Sequence, residues 1–307
     1  MAIWRGCLCF RIGVARPVGC WVLVAGIVLA GSVAADEVPL PVETRPVRLS
    51  LAAEEIDAVW LLPPGAAAGL INVQHGFARS CDRLQGTLKA LARRGLIVLC
   101  MNAEMAGGNP RLAQALAAAL RDGLLPPGRT DAALPIVVAG HSAGASFASH
   151  LGAALTRETP DRLAGALLFD PVAGVGFADN LLAISERGTR PVRAISATFS
   201  GCNARNNADP ALAAVAEAAR AAGQPAFVGL RLVDRATHVD AEGEDTSALA
   251  VWACAQGAPQ PANVALLRTL AAAWTLEMVL ASPGPDARAV ADLVDQALAN
   301  GQAVPIR

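Results

Sequence analysis

The sequence PIVVAGHSAG occupies residues 135–144. Its first half is a short, uninterrupted apolar run that predicts a buried strand, and its second half has the pattern G-x-S-x-G around Ser142. The residues that follow are rich in alanine and predict a helix that begins at Ala143. In this context Gly140 and Gly144 allow a sharp turn that exposes the serine hydroxyl, and the helix N-terminus favours developing negative charge. The stretch therefore predicts a nucleophile elbow with Ser142 as the nucleophile.

Short apolar runs alternate with alanine- and leucine-rich stretches over most of the chain. The runs predict strands at residues 70–73, 96–101, 135–139, 164–169, 192–199 and 226–233. The longer stretches predict helices at residues 81–94, 110–122, 143–155, 210–222, 261–280 and 286–300. This order predicts an α/β fold with a mostly parallel central sheet and helices on both faces, so that the strands' C-terminal ends meet at one ligand-binding edge. Residues 47–51 and 56–62 predict an antiparallel pair at a sheet edge.

The domain organisation follows from the length of the chain and from the spacing of the predicted strands and helices. The chain has 307 residues, and no internal repeat or long linker interrupts the alternation. We therefore predict one catalytic domain over residues 36–307. Only residues 171–191 separate the strand at 164–169 from the next one, which is too short a connection for a large cap domain. The ligand-binding edge of the sheet is expected to be open.

A serine hydroxyl needs a general base, and the chain has four histidines from which to choose it. His141 lies inside the elbow, His150 lies two turns into the next helix, and His75 precedes the elbow. Only His238 lies downstream of both Ser142 and the strands that follow it, in the loop after the last predicted strand. The chain order of nucleophile, acid and histidine in this kind of site selects His238 as the base.

The loop after the first parallel strand is the expected source of an oxyanion hole. The strand at residues 70–73 runs into Gln74-His75-Gly76-Phe77, directly before a predicted helix. In folds with a nucleophile elbow, this loop and the residue after the nucleophile each supply one backbone N–H to the oxyanion. We therefore assign the main-chain amides of Phe77 and Ala143 to this role.

Together these residues resemble the chlorophyllase-like branch of the α/β-hydrolase superfamily, which includes bacterial serine esterases. The resemblance covers roughly residues 70–281, and its most specific motifs occupy residues 75–77, 140–144, 170–174 and 238–240. It implies the α/β-hydrolase fold and hydrolysis of carboxylic esters, with no metal and no organic cofactor for the chemistry. In that family the aspartate of the D-P-V-A-G segment is the triad acid, which by position is Asp170.

The residues around Asp170 support the same assignment. In most hydrolases of this kind the acid follows the next strand, but here the first carboxylate after that strand is Asp209, ten residues beyond it. Asp209 directly precedes Pro210 and is explained as a residue at a helix N-terminus. Asp170 directly ends the apolar strand at the catalytic edge. We therefore predict Asp170 as the acid, in preference to Asp209 and Asp240.

The N-terminal segment has the layout of a secretory signal peptide. Residues 1–17 carry only positive charges, residues 18–33 are almost wholly apolar, and small residues precede Asp36. We predict cleavage of residues 1–35 and export to the periplasm or the medium. The alternative is an uncleaved membrane anchor, and the leader is the one part of the chain expected to contact a membrane.

Four cysteines remain after the leader, an even number that suits an oxidising compartment. The predicted strands place all four near one edge of the sheet. We predict disulfides between Cys81 and Cys100 and between Cys202 and Cys254. The alternative is four free buried thiols.

The charge balance excludes one class of partner. Residues 36–307 carry 22 basic and 26 acidic side chains. Binding of nucleic acid requires clustered lysine and arginine, so a nucleic-acid partner is not expected. The expected partner is a small-molecule or polymeric ester substrate.

These observations favour a serine carboxylic-ester hydrolase that works through a Ser-Asp-His triad and an acyl-enzyme intermediate. Two alternatives remain. One is an exported binding protein that has kept the fold without catalysis, and the other is a thioesterase or amidase with the same triad. The sequence leaves the acyl group, the alcohol group and the oligomeric state open.

Overall fold

The computed structural model describes residues 41–130, 133–224 and 226–306. The leader predicted at residues 1–35 lies outside this part, so its cleavage stays a prediction. Within the described residues the strands are β1 (Glu43–Leu51), β2 (Glu54–Leu62), β3 (Gly69–Gln74), β4 (Leu96–Met101), β5 (Ile136–His141), β6 (Leu163–Phe169), β7 (Val192–Ser196), β8 (Phe227–Leu232) and β9 (Ala303–Pro305).

All nine of these strands belong to one sheet, in the order β1-β2-β4-β3-β5-β6-β7-β8-β9. The six strands from β4 through β8 in this order are parallel to one another. The hairpin of β1 and β2 adds to β4 in the antiparallel sense, as the sequence predicted, and β9 closes the other edge. The central strands are buried on both faces, which explains why their sequences are apolar without alternation.

Eight α-helices connect and cover the described strands. They are α1 (Gln85–Arg93), α2 (Pro110–Arg121), α3 (Ala143–Glu158), α4 (Phe177–Ile184), α5 (Asp209–Ala221), α6 (Ala248–Cys254), α7 (Pro261–Leu280) and α8 (Ala287–Ala299). One apolar core joins the sheet to α2–α5, and a second core on the opposite face joins it to α1, α7 and α8. The sheet is therefore covered on both faces, as predicted.

Three elements were not predicted from the sequence, namely α4, α6 and β9. They are 8, 7 and 3 residues long, too short to show a clear hydrophobic period. The strand predicted over residues 192–199 ends earlier, at Ser196. The backbone N–H of Ala197 donates to the carboxylate of Asp170 at 2.8 Å, so this amide turns away from the sheet.

Two disulfides join the four cysteines of the described chain in the predicted pairs. Cys81, in a 3₁₀ turn before α1, is bonded to Cys100 on β4. Cys202 follows β7 and is bonded to Cys254, the last residue of α6. Each bond links segments that meet at the C-terminal edge of the sheet. Cross-links of this kind stabilise a fold mainly by restricting the unfolded chain.

The connection between β6 and β7 contains a single short helix, α4, so it forms no large cap domain. Of the helices described, α7 is long and apolar enough to cross a membrane by length and composition. Its apolar side chains instead pack in the core beside the sheet, among them Leu270 and Trp274. The sequence of α7 is therefore explained by its place in the core.

Candidate active site

Ser142 occupies a strained turn between β5 and α3. Its backbone has φ 58° and ψ −126°, in the positive-φ region that residues with a side chain rarely adopt. The two glycines of the motif are sterically required. A Cβ on Gly140 would lie 2.0 Å from the carbonyl oxygen of Gly144, and one on Gly144 would lie 2.2 Å from that of Gln74. The elbow predicted from the sequence is present, and close backbone packing holds it in place.

The loop after β3 approaches Ser142 from the other side. A Cβ on Gly76 would lie 2.8 Å from the Cβ of Ser142, so a residue with a side chain would displace the serine. The backbone N–H of Phe77, the next residue, donates no hydrogen bond to any described residue. The N–H of Ala143, at the first position of α3, has no acceptor within its helix. Neither amide has an acceptor among the described residues, and their assignment to an oxyanion hole stays a prediction.

Asp170 directly follows β6 and is 5% exposed. Its φ is 38°, and its backbone N–H donates to the carbonyl of Ile195 on β7 at 2.7 Å. One carboxylate oxygen accepts from the N–H of Ala197 at 2.8 Å, and the other contacts Nδ1 of His238 at 2.5 Å. The structure thus brings together the acid and the base that were predicted 68 residues apart in the sequence.

His238 is held at three points. Its Nδ1–H donates to Asp170, and its backbone N–H donates to Oε1 of Gln256 at 3.0 Å. Its carbonyl oxygen accepts from Nε2–H of His141 at 2.8 Å. With Nδ1 protonated toward the carboxylate, the neutral imidazole leaves Nε2 as a proton acceptor. This is the tautomer that a general base requires.

Ser142 and His238 line the same pocket, which has a volume of about 410 Å³. Their side chains form no hydrogen bond with each other in the structure, and such bonds in a triad often close only when substrate is bound. The rest of the wall is mostly apolar and comprises Phe77, Ala78, Val239, Leu249, Ala250, Ala253 and the Cys202–Cys254 disulfide. The pocket therefore suits an apolar group placed beside a nucleophile.

The charged groups in the pocket wall compensate each other. Arg79 forms a bidentate ion pair with the buried carboxylate of Glu242 and also donates to Oγ of Ser247 at 3.2 Å. Burial, the largest single influence, raises the pKa of Glu242, but the hydrogen bonds and charge of Arg79, together with His141 and Thr246, outweigh it and leave that pKa below its ordinary value. The pair stays charged and internally neutralised, so the wall offers no unpaired charge to a substrate.

Asn203 is a site residue that the sequence analysis missed. It is fully buried on the loop after β7, and its Nδ2 lies 3.2 and 3.3 Å from the two carboxylate oxygens of Asp170. The same Nδ2 donates to the carbonyl of Thr198, while its Oδ1 accepts from the N–H of Ser200 and of Asn206. Asn203 therefore shapes the loop and orients the acid. No local pattern could reveal this, because the loop is rich in asparagine and only one of these side chains faces Asp170.

Replacement of Asn203 tests this positioning role. We expect Asn203→Ala to lower kcat for a soluble ester about tenfold with little change in KM, because a buried carboxylate loses a hydrogen-bond donor while the pocket is unaltered. Asn207→Ala is the matched control, since this asparagine of the same loop bonds instead to the backbone of Ala173. Equal kcat values for the two variants would contradict the assignment.

His141 is the second missed residue. Its ring is fully buried, with its centroid 4.7 Å from that of His238, and its Nδ1 has no partner among the described residues. Burial, reinforced by the neighbouring His238, lowers its pKa to about 4. It therefore stays neutral over the range in which a hydrolase works, and its Nε2–H holds the carbonyl of His238.

The low pKa of His141 predicts acid sensitivity. The unfolded chain binds a proton near pH 6.5 and the folded chain only near pH 4, so stability is complete above pH 6.5 and falls as the pH drops toward 4. The loss attributable to this group is about 3 kcal/mol. Denaturant unfolding at pH 7.5 and pH 4.5 should show a smaller difference for His141→Gln, whose amide can replace the Nε2 donor. An unchanged difference would refute this account.

The two rejected acids have other roles. Asp209 is the first residue of α5 and pairs with Arg231 at 2.5 Å, as expected for a residue at a helix N-terminus. Asp240 accepts the backbone N–H and the hydroxyl of Thr237 in a capping box, which shapes the turn that carries His238. Neither carboxylate contacts the ring of His238.

No group of three or more histidine, cysteine, aspartate or glutamate side chains in the described ranges is arranged to hold a metal ion. Titratable side chains at the pocket instead pair with one another, Asp170 with His238 and Arg79 with Glu242. The arrangement brings to one pocket a hydroxyl, an imidazole paired with a carboxylate, and two backbone amides without an acceptor among the described residues.

Comparison with known proteins supports the fold. No protein-family model and no curated protein sequence matches the chain. A dienelactone hydrolase from Anabaena variabilis superimposes with a TM-score of 0.52 at 15% identity, over 77% of this chain and 98% of its own. A variant of the esterase rPPE superimposes with a TM-score of 0.51 at 15% identity, over 74% of this chain and 81% of its own. The chain has the α/β-hydrolase fold, and the predicted fold class is confirmed.

Proposed function

We propose that this protein is a serine carboxylic-ester hydrolase. The observation that carries the proposal is the contact between Nδ1 of His238 and the carboxylate of Asp170, in a site whose pocket also exposes Ser142 on a strained elbow. The contact between Asp170 and His238 is one of the two that a Ser-His-Asp triad requires, and the hydroxyl of Ser142 lines the same pocket as the imidazole. The two structural neighbours, a dienelactone hydrolase and an esterase, agree with ester chemistry, but at 15% identity their likeness shows only the fold.

In the proposed acylation step, Nε2 of His238 removes the proton from Oγ of Ser142 as Oγ attacks the ester carbonyl. Asp170 keeps its charge and stabilises the imidazolium. The imidazolium then protonates the leaving alcohol oxygen, and the ester C–O bond breaks to leave an acyl-serine. Water then gives a proton to the same imidazole as it attacks the acyl carbon, the bond from that carbon to Oγ of Ser142 breaks, and the imidazolium returns the proton to Oγ as the carboxylic acid leaves.

The negative charge of each tetrahedral intermediate requires donors that are already in place. The N–H groups of Phe77 and Ala143 have no acceptor among the described residues and border the serine from two sides. Preorganised amides of this kind contribute roughly 3–4 kcal/mol each to the transition state. The mechanism uses no metal and no organic cofactor in any step.

A fluorophosphonate probe tests the proposal directly. We expect it to label Ser142, because an activated serine reacts where an ordinary hydroxyl does not. A non-catalytic binding protein would remain unlabelled. Parallel rates on matched ester, thioester and amide substrates distinguish the esterase from the thioesterase and amidase alternatives, and p-nitrophenyl esters from acetate to palmitate define the acyl pocket.

Two finer parts of the proposal rest on the sequence. The motifs at residues 75–77, 140–144, 170–174 and 238–240 resemble those of the chlorophyllase-like branch, and this resemblance is the support for that part of the proposal. The leader at residues 1–35 implies export to the periplasm or the medium, and the two disulfides suit an oxidising compartment. N-terminal sequencing of the exported protein would test the cleavage site before Asp36.

A further inference from the structure

Helix α6 is unusual because none of its seven residues is charged and the indole N–H of Trp252 is its one strong side-chain hydrogen-bonding group, yet only its last residue is buried. Its sequence is ALAVWAC, and Leu249 and Trp252 are 70% and 78% exposed. A short surface helix normally carries polar residues on its outer face. The outward face of α6 is therefore apolar and, within the described chain, uncovered.

Other exposed apolar side chains are concentrated at the same edge of the sheet. Within the described residues, most of the large apolar side chains that face solvent lie on segments that follow the C-terminal ends of the parallel strands, namely Phe77, Val175, Phe199, Leu249 and Trp252. Single exposed apolar residues are normal on a protein surface, but a group at one edge marks an interaction site. We call Phe77, Phe199, Leu249 and Trp252 the apolar platform.

The platform is continuous with the candidate active site and firmly attached to it. Phe77 and Leu249 both face solvent and line the pocket of Ser142. The disulfide from Cys254 fixes the end of α6 to the loop that carries Phe199. At its start, Ser247 caps the helix and accepts a hydrogen bond from Arg79. These attachments hold α6 fixed at the rim of the pocket, unlike a lid that opens.

We propose that the apolar platform rests on the surface of an uncharged, water-insoluble ester lipid, such as an acylglycerol emulsion, and thereby delivers one acyl ester to Ser142. The inference rests on the proposed ester hydrolysis and names the physical state of the substrate. Phe199 and Trp252 are exposed but do not line the pocket, so they cannot serve a single small ligand bound there. The surface of a lipid phase is broad enough to cover both Phe199 and Trp252.

The charges favour a neutral lipid over an anionic one. The Arg79–Glu242 pair is internally neutralised, and Arg205 is the only charged side chain between Phe199 and Asp209. Adsorption to anionic headgroups takes clusters of several basic residues, and residues 36–307 have an acidic excess. An uncharged acyl phase requires only apolar contact area, which aromatic side chains supply.

The test separates adsorption from catalysis. Ser142→Ala protein is mixed with a trioleoylglycerol emulsion and centrifuged, so that binding is read by flotation without hydrolysis. Adding Phe199→Ser and Trp252→Ser should weaken binding about tenfold or more, from the lost apolar contact. The matched control is Leu280→Ser, which removes an exposed apolar side chain at the end of α7, away from the platform, and should leave binding unchanged.

The same changes are then compared in the active protein. We expect the Phe199→Ser/Trp252→Ser variant to hydrolyse soluble p-nitrophenyl acetate within about twofold of the unaltered enzyme, while its rate on limiting emulsion surface falls about tenfold. If the unaltered enzyme neither reacts with the fluorophosphonate probe nor hydrolyses the soluble ester, the proposed function fails, whereas flotation still reports on the platform.

Four outcomes would overturn the inference. The first is equal flotation of the Ser142→Ala protein with and without Phe199→Ser and Trp252→Ser. The second is an equal loss of hydrolysis rate on the soluble and the emulsified ester in the Phe199→Ser/Trp252→Ser variant. Tighter binding to anionic phospholipid vesicles or to a polyester film than to the emulsion would reject the neutral lipid as occupant. A dimer in sedimentation that the Phe199→Ser/Trp252→Ser variant dissociates, without flotation of the unaltered protein, would make the platform an interface between copies of this chain.

Discussion

Ser142→Ala and His238→Ala are each expected to reduce ester hydrolysis by at least about 10³-fold, because the members of a triad act as a unit. Without Oγ no acyl-enzyme forms, and without the imidazole the hydroxyl keeps its proton. A combined variant should be little worse than either single variant, since the second change removes a group that the first has already made ineffective.

The measurement is kcat/KM for p-nitrophenyl acetate, with circular dichroism and thermal unfolding to confirm that both variants fold. Ser142→Ala removes one oxygen from a side chain that makes no hydrogen bond with the described residues, so its stability should be close to that of the unaltered protein. His238→Ala loses the contact with Asp170 and serves as the stricter test of folding. More than about a tenth of the original activity in either variant would contradict the assignment.

Asp170→Asn is expected to cost a factor of roughly 10³ to 10⁴ in kcat. The amide that replaces the carboxylate neither stabilises the imidazolium nor holds the proton on Nδ1 of His238, so the ring is free to adopt the wrong tautomer. The matched control is Asp209→Asn, which makes the same chemical change at an aspartate that pairs with Arg231 and lies outside the site. It should keep most of the activity.

A pH profile sharpens this comparison. If Asp170 acts through His238, the rate of Asp170→Asn should recover partly at alkaline pH, where hydroxide replaces the disabled base. A crippled Asp209→Asn enzyme beside a nearly normal Asp170→Asn enzyme would mean that the acid had been misassigned. Asp240→Asn is less suited as a control, because it breaks the capping box that shapes the His238 turn.

The structure places the carboxylate of Asp170, which follows β6, at the end of the neighbouring strand β7. The backbone N–H of Asp170 bonds to Ile195 on β7, and its carboxylate accepts from Ala197 just past the end of that strand. The side chain therefore reaches across one strand, to the end of β7. The carboxylate therefore lies near the end of β7, the strand that the acid follows in most hydrolases of this kind, although Asp170 itself follows β6.

Much of this arrangement was readable from the sequence because the signals are local. Apolar runs predicted the parallel strands, and the motif around Ser142 predicted the elbow, since each depends on neighbouring residues and their backbone preferences. His238 could be chosen by elimination among few histidines. The disulfide pairs followed from placing the cysteines at strand ends on one edge.

The sequence by itself therefore determined the fold class, the elbow at Ser142 and the choice of His238. Only the tertiary structure decided which groups hold the acid and the base. Asn203 contacts Asp170, while His141 and Gln256 fix the backbone of His238, and each contact joins residues that are 18 to 97 positions apart. The register of β6 against β7 decides whether the carboxylate of Asp170 can reach the imidazole, and packing decides that α6 is left exposed. Such contacts depend on how distant segments pack together, and no local pattern of residues specifies that packing.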